Sequence, residues 1–294
     1  MNIFLTKTIF TIISKIGCIL SIITYFIDIF FYFHLKENRN FTFSTIVFLS
    51  TTNFIYSLAM LLPLTEKISP ICSIQSFMII TFQTSQYLSS CLLCYNNFVN
   101  LIKKNHLDKY KLFYRIIFII LSLLIPLFLS CLTLITKTYG DSEGYCWFDY
   151  KNIYKRQAMR KVTLTYFLFL LFIFSLNIFF IVKVHYIIKD NKSKKNRKTY
   201  IHINKYSILL QFSAIPGIIE RIYGILNKEK ESSILKFFRI IGENYIGIII
   251  NIFLLNSPWI NDNFRFRRPR KTQSEQLLNS QRESTISKDN IINN

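Results

Sequence analysis

The sequence predicts an all-α membrane protein: a seven-transmembrane helix bundle with its N-terminus outside and its C-terminus in the cytosol. Three observations carry this. Seven apolar runs fill the 294-residue chain almost end to end. Each is about as long as the ~20 residues a helix needs to cross a bilayer. Basic residues gather in alternate connections between the runs. The runs do not alternate apolar and polar positions as barrel strands would, and a helix bonds its own backbone where lipid offers no water.

The spans are read as Thr8–Phe33, Ser44–Leu64, Cys72–Ile102, Leu112–Thr136, Val162–Ile188, Ile203–Leu226 and Ser233–Ser257. The first is too long for a signal peptide and lacks a small-residue cleavage site, so it is expected to stay as a helix. It carries Lys15 and, near its cytosolic end, Asp28, which is expected to reach the interface. The third carries Cys91 and Cys94 with no second pair and no nearby His, so they are read as small packing residues. The sixth contains Pro216-Gly217, where proline frees a carbonyl and kinks the helix. The seventh holds Glu243 near its middle. Asn53, Asn177, Asn244 and Asn251 are read as polar glue between helices. Residues 1–260 form the bundle and 261–294 a basic, disordered cytosolic tail. There, Phe264 and Phe266 among Arg265, Arg267, Arg268 and Arg270 suit an anionic lipid surface. Tail hydroxyls such as Ser274 and Ser284 are candidates for phosphorylation.

Orientation follows from loop charge. Lys36 and Arg39, the Lys103–Arg115 stretch, the Lys189–Lys198 stretch and the residues after the last span fall on one side, which is placed in the cytosol. The net charge of +20 therefore faces the membrane surface and not nucleic acid, because the basic residues sit between apolar spans. Asn40 and Asn191 begin glycosylation patterns but face the cytosol, and are expected to be unused.

Cys72 opens the third span at its outer end, and Cys146 lies in the outer loop between spans four and five. Both face an oxidising compartment, where a disulfide persists. Their bond would hold that loop over the mouth of the bundle. The other four cysteines are expected to be reduced.

Several local pieces then point to a family. They are Ile16-Gly17-Cys18 in span one and Phe48-Leu49-Ser50 in span two. Cys72-Ser73-Ile74-Gln75-Ser76-Phe77 opens span three, and Tyr139-Gly140-Asp141 precedes Tyr145-Cys146-Trp147-Phe148. Pro216-Gly217 with Arg221-Ile222 marks span six, and Asn251 with Leu255-Asn256-Ser257 ends span seven. From Ile16 to Ser257 the chain resembles the cyclic-AMP-receptor-like G-protein-coupled receptors, relatives of the secretin and adhesion receptors. The rhodopsin-like motifs fit less well. Tyr95-Asn96-Asn97-Phe98 stands where an acidic-Arg-aromatic triplet should close span three, and Asn256-Ser257-Pro258-Trp259 departs from Asn-Pro-x-x-Tyr. The resemblance implies a plasma-membrane receptor that binds a small extracellular ligand and activates a heterotrimeric G protein. It also implies that Pro216 and Gly217 act as a switch, through outward movement of the inner half of span six.

Ionisable groups within a membrane are candidates for function. Arg221 is placed about a turn and a half below the outer end of span six, with Arg160 topping span five and Arg239 early in span seven. With Gln75 and Glu243 these are the candidate ligand-binding residues, in a pocket between spans three, five, six and seven. Arginine there suits an anionic ligand, because its fork bonds a carboxylate or phosphate in two places. Glu220, adjacent to Arg221, points about 100° away round the helix. Lys15 and Glu243 lie on neighbouring spans, either as a pocket or activation lock or as a structural pair. No metal site, cofactor motif or enzyme signature is present in the sequence. The rival readings are a transporter or channel, which would show repeats or broken helices, and a membrane scaffold without a ligand.

Overall fold

The computed structural model describes residues 3–34, 41–62, 70–102, 111–141, 145–148, 157–190, 194–226 and 233–256. The helices are α1 (Ile3–His34), α2 (Phe41–Leu61), α3 (Pro70–Ile102), α4 (Lys111–Ile135), α5 (Gln157–Asp190), α6 (Lys194–Leu226), α7 (Ser233–Asn244) and α8 (Ile246–Leu255). Two short strands, β1 (Tyr139–Asp141) and β2 (Cys146–Phe148), lie between α4 and α5. The chain divides into a compact unit, Met1–Leu254, and a second, Leu255–Asn294. Of the second, only Leu255 and Asn256 are described, so the basic tail and its hydroxyls lie outside the described residues.

The helices pack in a ring. α1 meets α2, α2 meets α3, α5 meets α6, α6 meets α7, and α7 returns to α1, while α3 also packs on α4, α5, α6 and both strands. The exposure pattern is inverted relative to a water-soluble bundle. On α1, Ile9, Ile12, Ile16, Ile19, Ile23, Phe26 and Phe30 are exposed, whereas Ser21 and Asp28 are completely buried. On α4, Ile116, Ile120, Leu124 and Phe128 face out, and Ser122 and Ser130 face in. Apolar stripes this long on the outside call for an apolar solvent, so the chain is a multi-pass membrane protein.

Among the described residues, four helical segments are long and apolar enough to cross a bilayer: Thr8–His34, Ser44–Leu61, Ile116–Ile135 and Lys161–Ile187. The pair α7–α8 adds a fifth if it is one span bent by 47°. α3 and α6, at 33 residues each, are long enough but less apolar than the sequence reading supposed. The reason differs for each. α3 is central, and it spends its positions on buried polar residues such as Gln83, Thr84, Gln86, Ser89 and Ser90. α6 opens with a basic stretch, and among its described residues Ser207–Glu220 is an apolar segment.

The break at Tyr245 is absent from the sequence reading, which took one straight helix. The N–H of Ile248 donates to Tyr245 O (3.1 Å), a tightened turn. The Asn244 carbonyl instead accepts the Ser21 hydroxyl (2.8 Å). A side chain entering the backbone ladder is a recognised cause of bending. Small residues bring α1 close to the bend: a Cβ on Gly17 would lie 2.6 Å from the Tyr245 ring, and one on Gly247 2.7 Å from Ser21 Cβ. α6, in contrast, runs continuously through Pro216.

α6 and α7 approach through two glycines. A Cβ on Gly242 would collide with the Ser213 backbone carbonyl, and one on Gly217 with the carboxylate of Glu243. The obstacles differ in compliance, since backbone cannot swing aside and a Glu side chain can. Gly242→Ala should therefore cost about 1–3 kcal/mol of stability through overpacking, and Gly217→Ala distinctly less. Thermal unfolding of the purified variants checks the order, and equal midpoints would refute it.

The apolar core joins Tyr56 and Ala59 of α2, Ile79, Ile80 and Tyr87 of α3, Trp147 and Phe148 of β2, Tyr166 and Phe167 of α5, and Ala214 and Ile218 of α6. The strands pair antiparallel, Tyr139 with Phe148, Gly140 with Trp147 and Asp141 with Cys146. All three β2 residues are fully buried. The loop thus enters the bundle as an aromatic plug, with the Phe148 ring 5.3 Å from that of Tyr166 and 5.4 Å from that of Trp147.

Candidate functional site

The plug is anchored first. Cys72 and Cys146 form a disulfide, with Cα atoms 5.2 Å apart, closing a sequence separation of 74 residues. The other cysteines, Cys18, Cys91, Cys94 and Cys131, are unbonded. Gln75, one turn along α3 from Cys72, accepts the Cys146 N–H at its side-chain oxygen (2.9 Å). Its amide donates to Ala59 O (2.9 Å) and Leu62 O (3.2 Å). Both ends of Gln75 are therefore engaged in joining α2, α3 and β2, a structural task that the ligand reading of this residue did not foresee. At the far side, Tyr139 donates to Ser130 O (2.9 Å) and bonds Thr133. Burial pushes its phenol pKa up, so it remains the protonated donor.

Filling of the centre by Trp147, Phe148, Tyr166 and Phe167 moves open space elsewhere. A cleft lies where α1 and α7 begin and α2 ends, beside Tyr145. α7 supplies Lys236, Arg239, Ile240 and Glu243 to it. These stand at helical spacings of three and four, on one face. The opposite face of α7, Ile234, Phe237, Phe238 and Ile241, is exposed. α1 adds Phe10, Thr11, Ser14 and Lys15.

Within the cleft wall, Arg239 bonds Glu220 of α6 at 2.9 Å, with both side chains about 95% buried. Its guanidinium also stands over the Tyr145 ring, 5.4 Å from the centroid. The sequence reading paired neither residue. It assigned Arg239 to a ligand or to headgroups, and it weighed Glu220 only against Arg221. The structure commits Arg239 to Glu220, which helix rotation makes possible and adjacency on one helix does not. Lys236 lies 5.8 Å from the Phe10 ring centroid. Lys15 and Glu243 line the same cleft. Arg160 and Arg221 stand on α5 and α6, but their side chains lie outside the described residues. Of the candidate ligand residues, the cleft brings together Arg239 and Glu243, and Gln75 is placed elsewhere.

Asn244 forms the floor. Its amide donates to Ser14 Oγ (2.8 Å), and its oxygen accepts from Tyr56 OH (3.4 Å). The expectation of interhelical glue fits the other asparagines too. Asn177 donates to Ser90 (3.2 Å), and Asn53 accepts from Gln86 (3.4 Å). Asn251 donates to Asp28 Oδ1 (2.8 Å), whose Oδ2 accepts from Ser50 (2.6 Å). Asp28 therefore does not reach the interface as the sequence suggested. It is fully buried and ties α1 to α2 and α8, because two donors within reach offset the loss of water.

No protein-family model matches the chain, and no curated protein matches it. Among solved structures, the crystal structure of squid rhodopsin is similar, with a TM-score of 0.70 at 15% identity, over 90% of this chain and 81% of that one. The chain shares the helical-bundle fold of that structure. In that fold the disulfide from the head of α3 to the hairpin, the plug it holds and the cleft beside it all belong to one end of the bundle. Among the described residues no group of three or more His, Cys, Asp or Glu side chains is placed to hold a metal.

Proposed function

We propose that the chain is a seven-span receptor of the plasma membrane, with its N-terminus outside. It binds a small extracellular ligand and activates a heterotrimeric G protein at its cytosolic end. The likeness to squid rhodopsin over 90% of the chain carries the reading. α3 and α6 are then the two spans whose polar content hides them. The cyclic-AMP-receptor-like family is the branch that the Cys72–Phe77 and Tyr145–Phe148 pieces favour. The chain does no catalysis in this reading and needs no cofactor. Pro216 and Gly217 serve as the switch, since α6 is both loosened by proline and held against Glu243 through its glycine.

Two experiments test this. A tag placed after Asn294 should bind antibody only in permeabilised cells, and a tag before Met1 in intact ones. The reverse pattern sinks the orientation and the receptor reading together. A ligand screen with nucleotide exchange on a panel of G-protein α subunits should yield agonist-dependent exchange. Ligand-dependent solute or ion flux without any exchange would favour a transporter or channel instead.

A further inference from the structure

We infer that the seam where α3, α5 and α6 meet holds bound water, with one water seated between Asn177, Ser90 and Gln211. The inference concerns the interior of the bundle and holds whether or not the chain couples to a G protein.

Size is the first argument. A cavity of ≈ 10 Å³ lies between Tyr87 and Ser90 of α3, Phe174 and Asn177 of α5, and Leu210 and Gln211 of α6. A water needs roughly 10–15 Å³ on this measure, so there is room for one and for little else. The second is an acceptor with nothing to accept. Asn177 is 2% exposed, and its Oδ1 has no hydrogen-bond partner among the described residues. Such an atom is costly when buried and unmet, and ordered water commonly meets it. The third is a matching pair of donors. Ser90 accepts from the Asn177 amide (3.2 Å), which leaves its own O–H to donate. Gln211 gives one amide hydrogen to Phe174 O at 3.5 Å, a long contact, and keeps the other. One acceptor and two donors suit a molecule that both gives and takes a hydrogen bond. A lipid chain end would leave all three unmet, and an ion would find no opposite charge among the lining residues.

The same chemistry continues along the seam toward the end of α3 at Ile102. Asn97 follows Ser90 by two turns on the same face of α3, and Ser207 precedes Gln211 by one turn on α6. Both are buried. Asn97 Nδ2 has no hydrogen-bond partner among the described residues, and Ser207 Oγ meets at most the Cys94 thiol, a weak donor. The other half of α6 is held differently, by the 2.9 Å bond of Glu220 with Arg239 and by the glycine contacts with α7. Within the receptor reading, α6 is thus tied directly at its outer half and through water at its inner half, the half that swings.

The test is hydroxyl-radical footprinting of the full chain in phosphatidylcholine nanodiscs. X-ray radiolysis splits a bound water where it sits, the radical oxidises the side chain beside it, and mass spectrometry reads the product. Each probe has a counterpart of the same type in the apolar core, Tyr166 for Tyr87 and Leu170 for Leu210, and none of the four is more than 4% exposed. Tyr87 and Leu210 should oxidise several-fold faster than their counterparts. Asn177→Leu, which fills the cavity and removes the acceptor, should bring both down to the counterparts' rates. Gln211→Met, from the facing helix, serves if Asn177→Leu does not fold. Rates equal to the counterparts' in the unaltered chain, or fast rates that persist in the folded variant, overturn the proposal. No G protein takes part, so a failure here leaves the receptor reading standing.

Discussion

Cys72→Ser or Cys146→Ser is expected to release the hairpin and lower stability by roughly 4 kcal/mol. Closing a loop of this length restricts the unfolded chain, and the loop-entropy relation gives about that value for a sequence separation of 74. The native side adds a local effect. β2 is only three residues long, and it delivers Trp147 and Phe148 into the core. Without the covalent tie, the Cys146 N–H bond to Gln75 is the remaining polar anchor to α3 among the described bonds. Trp147 is fully buried and reports on the plug. Its fluorescence should shift to the red in the serine variants well below the wild-type unfolding temperature. Gln75→Leu should cost less, about 1–3 kcal/mol, because it orphans the buried Cys146 N–H. Combined with Cys72→Ser it should fall short of additivity, since both act on one anchor. A serine variant with the wild-type midpoint and emission would show that packing alone holds the plug.

What the sequence disclosed and what it hid follow from the range of the interactions. Span positions depend on runs of neighbouring residues, and the disulfide depends on which side of the membrane two cysteines occupy. Both are readable without knowing how helices rotate. Arg239–Glu220 depends on that rotation, and so the acid was sought beside Arg221. The break at Tyr245 was hidden because Ile246–Leu255 continues the apolar run. Gly242 and Gly247 flanking Asn244-Tyr245 were the available signal, and the acceptor role of Asn244 needed Ser21 from 223 positions away. The cleft was half legible. Lys236, Arg239 and Glu243 show helical spacing, but the filling of the centre by Trp147 and Phe148 was not, since a Tyr-Cys-Trp loop reads equally well as a lid resting on the mouth.

Glu220→Ala is expected to be the most damaging single change in the cleft wall. Arg239 and Glu220 meet at 2.9 Å with side chains only 6% and 5% exposed. Removing one partner of such a pair costs about 3–5 kcal/mol, mainly because the other charge is left buried. The two halves are not equivalent. Arginine keeps its proton under all ordinary conditions, so in Glu220→Ala the guanidinium must stay charged, with the Tyr145 ring as a lesser support. In Arg239→Met the stranded group is a carboxylate, which can become neutral by taking a proton. Glu220→Ala should therefore lower the unfolding midpoint more than Arg239→Met. The double variant Glu220→Leu with Arg239→Met should lie close to wild type, because an apolar pair of similar volume avoids desolvation altogether. The cycle then yields a large coupling between α6 and α7, the helices that Gly217 and Gly242 already press together. If the double variant loses as much as the sum of the singles, the pair is not the tie between these helices, and the guanidinium owes its burial to another partner.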